Sequence, residues 1–305
     1  MHQSSGRWYL GLSLSLVTVF LWGVLPLALT VTLQELDVYT VIWFRFLTSL
    51  LLLAIYLSFQ QQLPTLEQLR ATSWQLLVVA TIFLAANYFL FMQGLALTAP
   101  ANAEVIIQLS SVLLSFGGLV IFQERYTLYQ WLGVAVLTLG FALFFHAQLA
   151  NLITAKGEYL LGSGLIVFGA IAWAIYALSQ KQLLQSLSSA KIMLIIYGGC
   201  ALLFTPLAKI NTIFTLDIFY FSTLLFCALN TFIAYGAFAE SLVHLQASRV
   251  GAILALAPII TLISGWLMSV ITPNIISPEN ISSVGVIGAF FVVIGSISIA
   301  LCKPN

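Results

Sequence analysis

Three charged residues lie inside long apolar runs of the sequence: Arg45, Glu104 and Arg249. A charge inside a membrane-spanning helix costs about 3 kcal/mol or more, so such residues face the protein interior, water or an interface. Arg45 is a candidate to bind an anionic solute group, or a structural residue that bonds to neighbouring carbonyl groups. Glu104 is the candidate for proton coupling, since burial favours a protonated carboxyl group. Glu104 and Arg249 also fit the role of interfacial residues at helix starts, and the sequence leaves both roles open.

Polar and aromatic side chains recur in the middle of the same apolar runs. In lipid a side-chain amide needs a partner, so these residues are expected to point toward the protein interior. There they either contact a solute or bond one helix to another. The candidate residues of a substrate pathway are Trp22, Asn87, Tyr88, Gln108, Ser111, Trp173, Tyr176, Asn230 and Tyr235.

Motifs for catalysis, metal binding or nucleotide binding are absent from the sequence. There is no HExxH, no GxSxG and no phosphate-binding Gly-rich loop. The histidines His2, His146 and His244 are too far apart to form a metal site by local spacing. We therefore predict a protein that is not an enzyme and that has no catalytic residues, no metal and no cofactor. A net charge of +1 also argues against nucleic-acid binding through bulk electrostatics.

The elements that position these residues are predicted to be membrane-spanning helices. The chain is 61% hydrophobic and 6% charged, with a mean hydropathy of +1.09, whereas a soluble domain carries about 25% charged residues. Apolar runs of about 20 residues cross the hydrocarbon core as helices. Ten such runs are predicted at residues 9–31, 39–59, 74–97, 100–122, 128–147, 158–180, 190–208, 215–238, 247–270 and 281–301.

The second half of the sequence repeats the first. The segment Ala103-Glu104-Val105 aligns with Ser248-Arg249-Val250 at an offset of 145. Glu124, Gly133 and Gly140 align with Glu279, Gly288 and Gly295 at an offset of 155. We predict two repeats, residues 1–150 and 151–305, with five spans each. An odd number of spans makes the two repeats inverted in the membrane, as in many secondary transporters.

The distribution of basic residues predicts the orientation. With the N-terminus inside, six basic residues lie in inner segments and two in outer loops. The positive-inside rule therefore places both termini in the cytoplasm. The inner residues are Arg7, Arg70, Arg125, Lys181, Lys191 and Lys303, and the outer ones are Lys156 and Lys209.

Several short motifs, in this order, resemble a known family. They are Trp22-Gly23 in the first span, Arg45-Phe46 in the second, small residues at the start of the fourth, and Glu124 nine residues before Gly133. The sixth span repeats the first with Trp173. Over nearly its whole length the chain resembles EamA-type members of the drug/metabolite transporter superfamily. One departure is Ser110, where the family usually has a proline, so the sequence leaves open whether the fourth span is kinked.

The resemblance implies an all-α polytopic membrane protein with ten helices in two inverted five-helix repeats. It implies a secondary transporter in the bacterial cytoplasmic (inner) membrane that exports small organic solutes, such as amino acids or related metabolites, by alternating access. Its expected partners are a small-molecule solute and the lipid bilayer. Two alternatives remain, namely a polytopic membrane enzyme acting on a lipid-linked substrate and a non-transporting membrane scaffold. Glu124 and Glu279 are expected to cap the helices that follow them.

Overall fold

The computed structural model describes residues 7–98, 100–124, 126–144, 146, 157–271 and 282–301. Throughout these residues the regular structure is helical, with a short 3-10 helix at Ile210–Thr215 and no strand. The predicted junction between residues 150 and 151, and the capping prediction for Glu279, lie outside the described residues. In chain order the α-helices are α1 (Trp8–Thr32), α2 (Val38–Phe59), α3 (Leu66–Ala71), α4 (Trp74–Ala96), α5 (Pro100–Ile107), α6 (Leu109–Ile121), α7 (Leu128–Phe144), α8 (Glu158–Leu183), α9 (Ser189–Phe204), α10 (Ile218–His244), α11 (Ala247–Leu254), α12 (Ala257–Ile271) and α13 (Ser283–Leu301).

The lengths and apolar composition of these helices are those of a multi-pass membrane protein. Six helical stretches are long and apolar enough to cross a membrane: α1, α2, α4, α8, α10 and the α11–α12 stretch Ala247–Val270. Shorter apolar helices of 10–17 residues cover Leu109–Ile121, Leu128–Phe144, Ser189–Phe204 and Ser283–Ile299. Large apolar side chains such as Phe20, Phe116 and Phe290 are exposed on the outside of the bundle, as a lipid-facing surface requires. The total of ten spans stays a prediction.

Polar residues begin several helices. Asp37 accepts a hydrogen bond from the Thr40 amide at the start of α2, and Ser73 accepts one from Leu76 at the start of α4. These side chains satisfy amide groups that have no partner inside the helix. The helices therefore start at the places where the apolar runs are interrupted by capping residues.

The helices pack in pairs across the two halves of the chain. α1 packs along α10, α4 along α8, α2 along α9, α6 along α11 and α7 along α13. Glycines permit the close approach of α7 and α13. A Cβ atom on Gly140 would lie 3.0 Å from the Gly288 carbonyl oxygen, and one on Gly295 would lie 2.7 Å from that of Gly133. Small residues have this role wherever membrane helices touch through their backbones.

The face of the bundle where α1 begins is called the inner face here, and the opposite face the outer face, following the predicted orientation. At the inner face the Glu124 carboxylate accepts hydrogen bonds from the amides of Ala247 (2.9 Å) and Ser248 (3.1 Å) and from the Ser248 hydroxyl group. The Lys181 Nζ atom lies 3.4 Å from Glu124 Oε1 and donates to the Leu245 carbonyl oxygen at 3.1 Å. We call Glu124, Lys181 and Ser248 the inner clamp.

The inner clamp corrects the prediction that Glu124 caps the helix after it. Glu124 instead caps α11, a helix from the other half of the chain, by accepting amides of its first turn. Gln246, the residue before α11, provides no side-chain cap. The carboxylate supplies the missing acceptor, and Lys181 balances its charge.

We expect Gly140→Ala to destabilise the protein through the contact between α7 and α13. The added Cβ atom would lie 2.5 Å from the Val292 backbone nitrogen, and neither backbone can move away without disturbing its helix. Overpacking of this kind costs about 1–3 kcal/mol, which should lower the midpoint of thermal unfolding in detergent by several degrees. Gly164→Ala is the control, because no described residue beyond its own stretch of α8 has a heavy atom within 4 Å of its Cβ position. Equal midpoints for the two variants would contradict the packing described here.

Candidate functional site

A cavity of about 90 Å³ lies between the two halves of the bundle. Its walls come from α1, α2, α4, α5, α6, α8, α10, α11 and α12 and from the residue between α5 and α6. Nine of the twelve residues selected from the sequence line it, namely Trp22, Arg45, Asn87, Tyr88, Glu104, Gln108, Ser111, Trp173 and Tyr235.

The other three selected residues lie elsewhere. Tyr176 is fully buried, and its hydroxyl group lies 3.4 Å from the Met193 sulfur. The Asn230 Nδ2 atom donates to the Leu21 carbonyl oxygen at 2.6 Å, so this side chain connects α10 to α1. Arg249 is buried in the first turn of α11, at the inner face. None of the three belongs to the cavity wall, and Asn230 has the helix-bonding role that the sequence left open.

Arg45 is a buried cation held by neutral partners. Its side chain is 2% exposed. Its Nε atom donates to Thr231 Oγ1 at 2.8 Å, and its Nη1 atom lies 3.6 Å from the Met92 sulfur. The guanidinium carbon lies 4.5 Å from the centre of the Tyr88 ring, within the range of a cation–π interaction. Among the described residues no carboxylate lies within 4 Å of Arg45, so its charge remains available to a ligand in the cavity.

Glu104 supplies a carboxyl group to the same cavity. It is 5% exposed and lies in α5, and the Gln108 side chain is its hydrogen-bonding neighbour one turn later. In the described part of the chain no basic side chain lies within 4 Å of it. Arg45 and Glu104 therefore line one cavity without forming an ion pair with each other. Such a site presents a positive and an acidic group separately to whatever enters.

Aromatic rings close the inner end of the cavity. The Trp22 ring centre lies 5.6 Å from that of Trp173, 4.9 Å from that of Tyr235 and 5.5 Å from that of Phe238. Tyr176 and Phe238 continue this cluster toward the inner face. Ring contacts at these distances are favourable and rigid. The cluster thus separates the cavity from the inner clamp.

Two helix breaks meet at the cavity. The first lies at Gln108, between α5 and α6, and the second at residues 255–256, between α11 and α12. Residues beside both breaks line the cavity, among them Ser111 and Leu254. The break at Gln108 forms without a proline at position 110, a point that the sequence left open. The Ser110 hydroxyl group donates to the Ile107 carbonyl oxygen, and this bond supports the interruption.

Sequence reasoning missed several residues of the site. Thr231, the partner of Arg45, lies 186 positions away in the chain. Met92 and Phe91 look like ordinary apolar residues of a membrane helix, although both line the cavity. No local pattern marks these residues, because their role depends on which helices pack together. Pro26, inside α1, is the missed lining residue with a local signal, since proline is unusual within a helix.

A family model and several related proteins match this chain over most of its length. The model of the EamA-like transporter family matches residues 9–146 and again residues 160–301. The chain is 34% identical over 305 residues to a protein of Escherichia coli named "Uncharacterized inner membrane transporter YhbE", covering 99% of this chain and 93% of that one. It is 32% identical over 292 residues to an "Uncharacterized transporter" of Haemophilus influenzae, covering 96% and 95%. A crystal structure with 16% identity superposes with a TM-score of 0.73 over 97% of this chain and 98% of the other, which shows a shared fold.

We expect Ser110→Pro to be tolerated. Ser110 is the second residue of α6, and proline is accepted in the first turn of a helix because its missing amide has no helical partner there. The variant loses the hydroxyl bond to Ile107, worth about 1 kcal/mol. The control Ser115→Pro lies in the middle of α6, where proline costs about 3 kcal/mol or more. In detergent the midpoint of thermal unfolding should fall slightly for Ser110→Pro and strongly for Ser115→Pro. Equal falls of the midpoint would argue against a true helix break at Gln108.

Proposed function

Because this chain belongs to the EamA-like transporter family, we propose that it is a secondary transporter that exports amino acids or related small metabolites by alternating access. One observation carries the choice of solute. Arg45 and Glu104 line the same cavity, and no ion pair joins them. In a site of low dielectric constant, each group favours a ligand that brings the complementary charge or hydrogen-bonding group.

An α-amino acid has the groups that such a site recognises. Its carboxylate would bind the Arg45 guanidinium group, and its ammonium group would bind Glu104 and the nearby amides. Arginine suits carboxylates because its planar fork of N–H donors matches the two oxygen atoms. The rings of Trp22, Trp173 and Tyr235 supply an apolar surface for the side chain of the solute. Binding sites for small molecules combine an apolar lining with a few polar groups in this way.

Two observations support alternating access between inverted repeats. The family model matches the chain twice. The helix pairs are also those that a two-fold relation requires. Exchange of the repeats converts the pair α1–α10 into α8–α4 and the pair α6–α11 into α12–α5, which is also in contact. It leaves the pairs α2–α9 and α7–α13 unchanged. Inverted repeats allow one site to face the two sides of a membrane in turn.

The cavity and its surroundings suit a conformation that is closed at the inner face. Aromatic rings and the inner clamp lie between the cavity and that face. The proposal places the protein in the bacterial cytoplasmic membrane with both termini in the cytoplasm, where the relative from E. coli is named an inner membrane transporter. It assigns no catalytic step, because the relatives are named as transporters.

Uptake and counterflow in proteoliposomes test the proposal. The purified protein is reconstituted and supplied with labelled amino acids and metabolites, with and without an imposed pH gradient. We expect saturable counterflow of at least one amino acid. If the protein shows a cooperative unfolding transition, and so is folded, but moves none of the labelled amino acids, the proposed solute class is contradicted.

We expect Arg45→Met to reduce transport strongly while keeping the protein folded. Loss of a charge-assisted hydrogen bond costs about 1.5–3 kcal/mol, so counterflow should fall by about tenfold to a hundredfold. The midpoint of thermal unfolding should stay within a few degrees, because replacing a buried charge by an apolar side chain is often neutral or stabilising. Arg70→Met, at an exposed position of α3, is the control. A collapse of stability with unaltered transport per folded molecule would assign Arg45 a purely structural role.

We expect Glu104→Gln to uncouple transport from a proton gradient. The amide keeps the hydrogen bonds of a protonated carboxyl group but cannot release a proton. Uptake driven by a pH gradient should disappear, whereas exchange of internal for external solute should remain measurable. Gradient-driven uptake equal to that of the wild type would exclude Glu104 as the proton carrier.

A further inference from the structure

Gln180 carries a side-chain amide that is buried near the inner end of α8. Its side chain is fully buried, and neither its Nε2 nor its Oε1 atom has a hydrogen-bond partner among the described residues. An unpartnered buried amide loses its bonds to water and gains none in return, which costs free energy. A conformation in which water or a solute reaches Gln180 would remove this cost. The mechanism proposed above does not use this residue.

Gln180 lies on the face of α8 that leads away from the cavity. Residues three, four and seven positions apart share one face of a helix, so Trp173, Tyr176 and Gln180 form a stripe. Trp173 lines the cavity, and the Tyr176 ring packs against Tyr235 and Phe238 beyond it. With a rise of about 1.5 Å per residue, Gln180 lies about 10 Å from Trp173 toward the inner face.

The residue next to Gln180 belongs to the inner clamp. Lys181 connects α8 to Glu124 and to the Leu245 carbonyl oxygen. The side chains of Lys181 and Glu124 are 4% and 6% exposed, so this ion pair is closed to water in the present conformation. If the clamp separates, the end of α8 loses its connection to α10 and to the start of α11. The face that carries Gln180 is then the one that continues the pathway from the cavity.

We propose that Gln180 is a second solute-contacting position, covered in this conformation and opened to the inner face when the inner clamp separates. The inference rests on the proposed transport function. Its amide offers one acceptor and two donors, which suits a solute that carries both a carboxylate and an ammonium group. In export the solute would enter from the inner face, contact Gln180, and pass from there to the cavity between Arg45 and Glu104.

The first test needs no knowledge of the solute. Gln180→Cys is made in a protein whose three native cysteines are replaced by alanine and is labelled with a membrane-impermeant maleimide from either side of membrane vesicles. We expect labelling from the inner side only, accelerated at least tenfold by Lys181→Met. Lys191→Met is the control, because Lys191 is another inner lysine, bonded to Gln68 outside the clamp. No labelling in any variant, or labelling from the outer side alone, would overturn the proposal.

The second test asks whether Gln180 contacts the solute. Counterflow of an equimolar mixture of labelled L-amino acids is measured with the mixture presented at the inner or the outer face. Gln180→Leu should raise the apparent KM at the inner face about tenfold and leave the outer value within twofold, whereas the exposed control Gln182→Leu should alter neither. An equal change at both faces, or none, would overturn the contact. If the wild type moves no amino acid, the proposed solute class fails, and the labelling result decides separately whether Gln180 lines the inner pathway.

Discussion

A backbone amide or carbonyl group that faces hydrocarbon without a partner costs several kcal/mol, so a membrane helix can be interrupted only where protein or water covers the interruption. This chain has two such interruptions, at Gln108 and at residues 255–256, and both adjoin the same cavity. The surrounding helices cover the breaks and thereby form the cavity wall. The constraint on the backbone thus accounts for the position of both breaks beside one covered cavity. The side chains of Gln108, Ser110 and Ser111 supply bonds at the first break.

Buried charges occur at two places in the bundle, the cavity and the inner face, and their surroundings differ. At the cavity, Arg45 is held by a hydroxyl group, a sulfur atom and an aromatic ring, which leave its charge unneutralised. At the inner face, Glu124 and Lys181 neutralise each other, and the carboxylate also caps α11. The first arrangement favours a ligand, and the second favours closure of the helix ends. Aromatic rings around Trp22 separate the two places. The proposed solute site and the closed inner end are therefore built from different interactions.

The sequence predicted the long apolar helices well because hydropathy is a local property. The predicted span 39–59 corresponds to the observed helix Val38–Phe59, and the predicted span 74–97 corresponds to Trp74–Ala96. The inward direction of Asn87 followed from the cost of an unpartnered amide, and the structure adds its bond to the Gly169 carbonyl oxygen. The partners of Arg45 and Glu124 could not be predicted, since Thr231 and Ser248 come from distant parts of the chain. The break at Gln108 could not be predicted from the sequence, because serine hydroxyl groups and not a proline support it.

In export by the proposed mechanism the inner face must open for the cavity to take up its solute, and a reversible crosslink between α6 and α8 tests this requirement most directly. A Cβ atom on Gly117 would lie 3.1 Å from Leu178 Cγ, the position that a cysteine sulfur would take, so Gly117→Cys with Leu178→Cys suits disulfide geometry. In proteoliposomes, oxidation should stop counterflow in the double variant, reduction should restore it, and the single variants should be insensitive. Full counterflow through the crosslinked protein would contradict the account.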